Sequence, residues 1–301
     1  MKEPSSQTLR GTPISPGLAE GTIHVHRAVP VPLDIPADAE THDVDEEISR
    51  LDNATVNISD DLLELASRVE KEIDSRLAEV FGVHQLILND RSLQEELKKE
   101  IAENLVSAGS AVKTVFLRWE NRFQLMESQI AKDKGDDMRD VSNRLCDALA
   151  GINVHPLEGV PHGCVLATMR LLPSETVFLG SRSTSAVILE YGSTASHAAL
   201  FAREMGLPCI SGFANLVATA PDGVLALVDA DEGRVTFRPD EEQRTDFRAK
   251  VGRKERASRL AREHARGPAL TRKGAVIPVL ANVGCQEDTR AAMENGADGV
   301  G

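Results

Sequence analysis

The strongest constraint on the fold is an internal stretch, residues 45–150, written in helix period and set between two segments written in strand period. Ile48, Leu51, Ile58, Leu62, Leu65, Val69, Ile73 and Leu77 recur at three-, four- and seven-residue steps. Leu93, Leu97, Ile101 and Leu105 are four apart, and Val112, Val115, Trp119, Phe123, Met126 and Ile130 form a third stripe. Met138, Val141, Leu145 and Leu149 form a fourth. Each stripe puts its apolar side chains on one helix face, and such faces bury against each other. With breaks expected near Phe81-Gly82, Ala108-Gly109 and Lys134-Gly135, the spacing predicts an antiparallel all-α part of about four helices, with Trp119 in its core.

The flanks read differently. Glycines and prolines punctuate residues 11–21, and β-branched residues alternate with polar ones over 22–29, which predicts a turn and then a strand. A Pro-rich connection follows, and residues 34–47 hold seven acids and no Lys or Arg. After Gly151, short apolar runs at 163–167, 186–189, 208–210, 224–228 and 234–237 alternate with helical stretches, the texture of an α/β domain. The opening strand has no sheet of its own, so it is expected to join this second sheet. The expected organisation is a discontinuous α/β domain, 1–33 and 151–238, with a helical subdomain, 34–150, inserted. Residues 239–266 are expected to form an exposed linker helix, because 244–266 carry nine Lys/Arg and three Asp/Glu with few large apolar residues. Residues 267–301 start another unit, with a strand at 275–281, a helix at 287–295 and a lead into a further strand.

Composition removes several classes. The net charge of −13 repels phosphate backbones, and aromatics are only 3%, too few for base-stacking platforms. No apolar run approaches the roughly 18–20 residues that span a bilayer, and residues 1–10 lack the apolar stretch of a signal peptide. Nucleic acid and membrane are therefore not expected partners. Cys146, Cys164, Cys209 and Cys285 stand far apart with no CxxC pair, and read as reduced, buried thiols of a cytoplasmic protein.

Of eight histidines, seven carry no pattern pointing to chemistry. His24 and His26 share a strand face, but no carboxylate or Cys at a fixed offset completes a metal site, and no metal ligand is assigned. His197 differs. A strand ends at Glu190, a turn of small residues follows (Gly192, Ser193, Thr194, Ala195, Ser196), and a helix is expected from about Ser196 to Met205. Small side chains let the backbone approach a bulky anion, and the free N–H groups of a helix N-terminus favour one. These are the parts of a histidine that takes up and surrenders a phosphoryl group. The same spacing suits a helix-capping turn whose histidine merely packs, and spacing alone leaves both open.

The segment 192–212, above all His197-Ala198-Ala199 with Ala202-Arg203-Glu204 and Gly206, Pro208, resembles the phosphohistidine motif of enzyme I of the bacterial phosphoenolpyruvate:sugar phosphotransferase system, phosphoenolpyruvate synthase and pyruvate phosphate dikinase. Other segments resemble enzyme I in particular: Ser15-Pro16-Gly17 to Gly21, Phe81 to Asp90, Asp140 to Leu145, Pro173-Ser174-Glu175-Thr176, Ala281 to Gly284, and Gly296 to Gly301. The resemblance implies a phosphohistidine swivelling domain with an inserted subdomain that binds the carrier protein HPr, followed by the truncated start of a (β/α)8 barrel. It implies His197 as the phosphorylated residue, relaying phosphate to a histidine of HPr. It implies Thr176 bonding that imidazole or its phosphoryl group, Asp90 approaching it in one domain orientation, and Gly192 and Ser196 supporting the loop. Leu86, Leu88 and Leu93 would sit near the docking face, with Glu95 and Glu96 matching a basic rim on HPr.

Two departures stand out. The family has Gly-Gly-x-Thr before Ser-His, where this chain has Ser193 and Ala195, and enzyme I commonly has Asp where this chain has Arg170. A phosphoenolpyruvate-binding barrel needs about 200–250 residues, so this polypeptide is expected to lack that site and to exchange phosphate only with HPr. Phosphoenolpyruvate, Mg²⁺ and a homodimer would belong to a longer parent, with the present chain monomeric. Two alternatives stay open: a regulatory module that docks HPr without relaying phosphate, and the relay domain of a phosphoenolpyruvate synthase or dikinase.

Overall fold

A computed structural model of the protein describes residues 6–27, 43–73, 75–126, 129–152, 155, 157–181, 184–265, 267–283 and 286–301. They fall into two compact units, Met1–Arg238 and Pro239–Gly301.

The first unit opens with three strands, β1 (Gln7–Arg10), β2 (Thr12–Ser15) and β3 (Leu18–Val25). Five helices follow: α1 (Val44–Glu72), α2 (Ser75–Leu88), α3 (Arg91–Asn104), α4 (Ala108–Gln124) and α5 (Gln129–Leu149). The chain then alternates through β4 (Val165–Thr168), α6 (Pro173–Ser181), β5 (Ala186–Leu189), α7 (His197–Glu204), β6 (Cys209–Ser211), α8 (Leu216–Thr219), β7 (Leu225–Asp229) and β8 (Arg234–Phe237).

These strands build one mixed sheet in the order β1-β8-β7-β3-β4-β5-β6-β2. β3, β4, β5 and β6 run parallel, and the outer pairs are antiparallel. The opening strand thus pairs with strands from beyond the helices, as its lack of a local partner predicted. The central strands β4 and β5 are buried at every position, which is why 186–189 reads as a continuous apolar run. β1 and β2, separated by Gly11 alone, lie on the two outer edges. Gly11 N donates to Gly233 O at 2.8 Å, and a Cβ on Gly11 would stand 2.4 Å from Ser211 O. Only glycine lets one strand bridge both edges there.

The helical stripes bury as their period requires: Leu51, Leu62 and Val69 from α1, Leu97 and Ile101 from α3, Val112 and Val115 from α4, Val141 and Leu145 from α5 are fully buried. Two of the three expected breaks are absent. α2 runs through Phe81-Gly82 and α5 runs through Gly135, while the helices part between α1 and α2, α2 and α3, and α4 and α5, so there are five described helices here rather than four. A helical glycine costs only about 1 kcal/mol against alanine, which packing outweighs. The break expected near Ala108-Gly109 is present: Leu105 is a left-handed C-cap, 58% exposed, and Ser107 caps α4. Trp119 is half-buried, its indole N–H donating to Glu96 at 3.0 Å. Fully buried Phe201 of α7 joins the helical core, tilted against Phe81 at 5.9 Å. Cys146, Cys164 and Cys209 are buried and free, and burial pushes the Cys209 thiol up to about 12. Cys285 lies outside the described residues.

The second unit begins with α9 (Glu241–Ala265), the expected basic helix, of which only Phe247 is buried. β9 (Leu280–Ala281), α10 (Gln286–Glu294) and β10 (Gly299–Val300) follow, with β9 and β10 parallel. The strand expected over 275–281 is cut to its last two residues, because residues 270–277 fold into a local turn closed by Leu270 and Val276.

Candidate active site

His197 is the first residue of α7. The loop that delivers it is fastened from several sides. Ser211 Oγ donates to Gly192 O at 2.9 Å, and a Cβ on Gly192 would press on the Leu189 side chain at 3.2 Å. Ser196 is the N-cap: its Oγ accepts from Ala199 N at 3.2 Å and donates to Ser193 O at 3.0 Å. Such a cap is worth about 1 kcal/mol. The Arg203 guanidinium donates to Ile14 O at 2.9 Å and to Thr194 O. Gly192 and Ser196 are thus both hydrogen-bonded within the loop region.

The His197 side chain is one-third exposed, and its Nδ1 lies 3.2 Å from Asp137 Oδ1. Asp137, on α5, is 2% exposed. The same oxygen lies 3.3 Å from Nε2 of His84 on α2, which is wholly buried and edge-on to Phe81 at 5.6 Å. One carboxylate oxygen therefore accepts from two imidazoles. A carboxylate accepts and an imidazole nitrogen must donate, so His197 carries its proton on Nδ1 and its lone pair on Nε2. His84 carries its proton on Nε2, leaving a buried Nδ1 with no hydrogen-bond partner. Burial works to raise the Asp137 carboxyl pKa, but the hydrogen bonds from His197 and His84 outweigh it and hold the carboxyl below its ordinary value.

Two further carboxylates of α5 reach the same neighbourhood. Asp136 accepts from Arg170 at 2.7 Å, and the Arg170 guanidinium lies 5.7 Å from the Tyr191 ring. Asp140 accepts from Ser174 N at 3.1 Å and Ser174 Oγ at 2.7 Å. Next to His197 a hollow of about 370 Å³ is lined by Leu77, Val80, Val83 and Leu200, with Glu79 and Glu204 among them. A separate cavity of about 350 Å³ is lined by Asp140, Arg144, Asp147, His155 and Glu175. Burial pushes the Glu175 carboxyl up to about 8, against the opposing hydrogen bond from Leu172 N.

The remaining expected residues go elsewhere. Thr176 is buried and its hydroxyl donates to Leu172 O of the same helical turn at 2.9 Å, so Asp137, not Thr176, is the described hydrogen-bond partner of the His197 ring. Asp90 is the exposed N-cap of α3, accepting from Leu93 N at 2.9 Å. Leu86 is 73% exposed, whereas Leu88 and Leu93 are buried in the helical core and offer a docking partner no surface. Glu95 is exposed and paired with Arg91, and Glu96 holds Trp119. Sequence reasoning missed Asp137 and His84 as site residues. The signals were faint: His84 lies inside the quoted 81–90 run, and Asp137 stands three residues before Asp140.

Among the described residues no three His, Cys, Asp or Glu side chains are grouped to hold a metal ion, and no helix is long and apolar enough to cross a membrane.

Comparison with known proteins fits this geometry. Residues 10–134 match the family model of the PEP-utilising enzyme N-terminal domain, and residues 160–233 that of the PEP-utilising enzyme mobile domain. The chain is 29% identical over 265 residues to a phosphoenolpyruvate-protein phosphotransferase of Priestia megaterium, covering 86% of this chain and 45% of that one. It is 31% identical over 254 residues to the protein of that name from Haloferax volcanii, covering 84% of this chain and 43% of that one. The chain thus spans about half the length of the curated relatives it matches. A solution structure of Enzyme I (nEIt) superposes with a TM-score of 0.60 at 26% identity, over 82% of this chain and 99% of that one. The N-terminal domain of Enzyme 1 - Nitrogen shares the fold at 21% identity, with a TM-score of 0.52 over 81% of this chain and 99% of that one. By its helical and α/β parts alike, the chain belongs to the PEP-utilising enzymes and resembles the N-terminal portion of enzyme I.

Proposed function

We propose that this chain is the phosphoryl-relay part of an enzyme I-like phosphoenolpyruvate-protein phosphotransferase, exchanging a phosphoryl group between His197 and a histidine of an HPr-type carrier. The observation that carries the reading is the His197–Asp137 pair: Nδ1 is tied to a buried carboxylate while the ring stays one-third exposed. In the transfer, the Nε2 lone pair of His197 forms the new N–P bond as the carrier's N–P bond breaks, and that electron pair returns to the carrier's imidazole. The His197 proton stays on Nδ1, where Asp137 stabilises the positive ring that results. The protein's contribution is positioning and charge, as suits a loose phosphoryl-transfer transition state.

The helical part is the proposed docking platform and the inserted element. An apolar-floored hollow beside His197, bordered by Glu79 and Glu204, suits a small partner with apolar contacts and a basic rim. Leu86, 73% exposed, stands three residues beyond Val83 on α2 and is proposed to extend this face. Swivelling of the α/β part would bend the chain near 148–152, where Gly151 has φ of 69°. The other proposed hinge, 30–34, lies outside the described residues. Residues 267–301 are proposed as the start of the barrel.

The test is labelling by a phosphorylated carrier. The chain should gain one phosphoryl group by mass, lost at low pH, and His197→Ala should gain none. A labelled His197→Ala chain would remove the assignment, and binding without labelling of the unaltered chain would leave only a docking module.

A further inference from the structure

We infer that Arg170 is the residue that pairs with the phosphoryl group on His197, an inference that rests on the relay reading above. The surroundings of His197 are acidic. The three hollows beside the ring and its loop are lined by Glu79, Glu204, Asp136 and Asp137, and Arg170 is the one cation among their described lining residues. A phosphoryl dianion placed there meets carboxylates on several sides and needs a compensating charge.

Arg170 is placed to supply it. The hollow that holds its side chain and the hollow that holds His197 share Asp136, Leu171, Ser196 and Ala198 in their walls. Its Nη1 is engaged by Asp136 at 2.7 Å, but its Nε is buried with no hydrogen-bond partner. A buried guanidinium N–H without an acceptor is costly, and a phosphoryl oxygen would satisfy it in the geometry arginine favours. Asp136 fixes the guanidinium through Nη1 and leaves Nε for the phosphoryl group. When the new N–P bond forms at Nε2, Arg170 donates to the phosphoryl oxygens and no proton is transferred. This gives a role to a residue that departs from the enzyme I pattern.

Phosphoryl exchange with a phosphorylated HPr-type carrier is measured for the unaltered chain, Arg170→Gln, Arg170→Lys and Asp136→Asn, with the phosphohistidine titrated by 31P NMR. Arg170→Gln should slow exchange about 10–100-fold and raise the pKa of the phosphoryl group. Arg170→Lys should recover much of both, and Asp136→Asn should keep the low pKa because the cation remains. If Arg170→Gln exchanges within twofold of the unaltered chain and titrates alike, the inference falls and the relay stands. If Asp136→Asn reproduces the Arg170→Gln defects, Arg170 is only a structural tie. If the unaltered chain takes no label, both the relay and the inference fail.

Discussion

Asp137 Oδ1 stands 3.2 Å from His197 Nδ1, although 60 positions separate the two in the chain and they belong to different halves of the first unit. The contact does two jobs at once. It selects which ring nitrogen carries the proton, and it fastens α7 of the α/β part to α5 of the helical part. His84, from α2, shares the same oxygen, so the carboxylate cannot rotate away without leaving a buried imidazole N–H unpaired.

Replacing Asp137 with Asn keeps the shape and loses the charge. The amide can offer His197 an N–H as readily as an oxygen, so the ring is no longer held with its proton on Nδ1. Phosphoryl uptake should fall about 10–100-fold, and 15N NMR of the His197 ring should show a mixture of tautomers. Unchanged uptake with an unchanged tautomer would mean the contact is incidental.

Glu175 gives a pH dependence with a definite sign. Its folded pKa, about 8, lies above the ordinary value of 4.5. The folded state therefore binds the proton more tightly than the unfolded chain, and stability from this group is full below about pH 4.5 and is lost as pH rises through 8. Glu175→Gln keeps an oxygen for Leu172 N and removes the ionisation. The variant should unfold like the unaltered chain at pH 4.5 and be more stable by about 1–3 kcal/mol at pH 8. Parallel urea curves at both pH values would show that burial of this carboxyl costs nothing.

Phe201 is the apolar counterpart of the Asp137 contact, fully buried where α7 meets Phe81. Phe201→Ala should cost about 3–5 kcal/mol by chemical denaturation. The unfolding midpoint of helical and sheet signals should drop together, since the ring belongs to the helical core. A loss below about 1 kcal/mol would argue that the α/β part packs independently.

Much of the fold was legible because local pattern and burial agree. The runs 186–189 and 234–237 are strands at those positions, and the helical stripes are the buried faces of their helices. β1 and β2 went unread: four residues each, mostly exposed along β1, they are strands only because distant strands pair with them. Gly82 and Gly135 were taken for breaks, but intrinsic preference there yields to packing. In the site, the loop and the cap around His197 were readable from small residues and a serine at the helix start. The Asp137–His84 part was not, because it assembles three segments with no local signature. Period placed Leu88 and Leu93 on helix faces without telling core from docking surface, and burial decided it.

Gly11 joins the two outermost strands of the sheet through a single residue. The consequence concerns solubility as much as shape: both rims of the sheet end in four-residue strands tethered to one another, a short edge for a neighbour's backbone to zip onto. A version of the protein trimmed of its first fifteen residues would bare β6 and β8 together, and its hazard would be self-adhesion into oligomers before any loss of chemistry at His197.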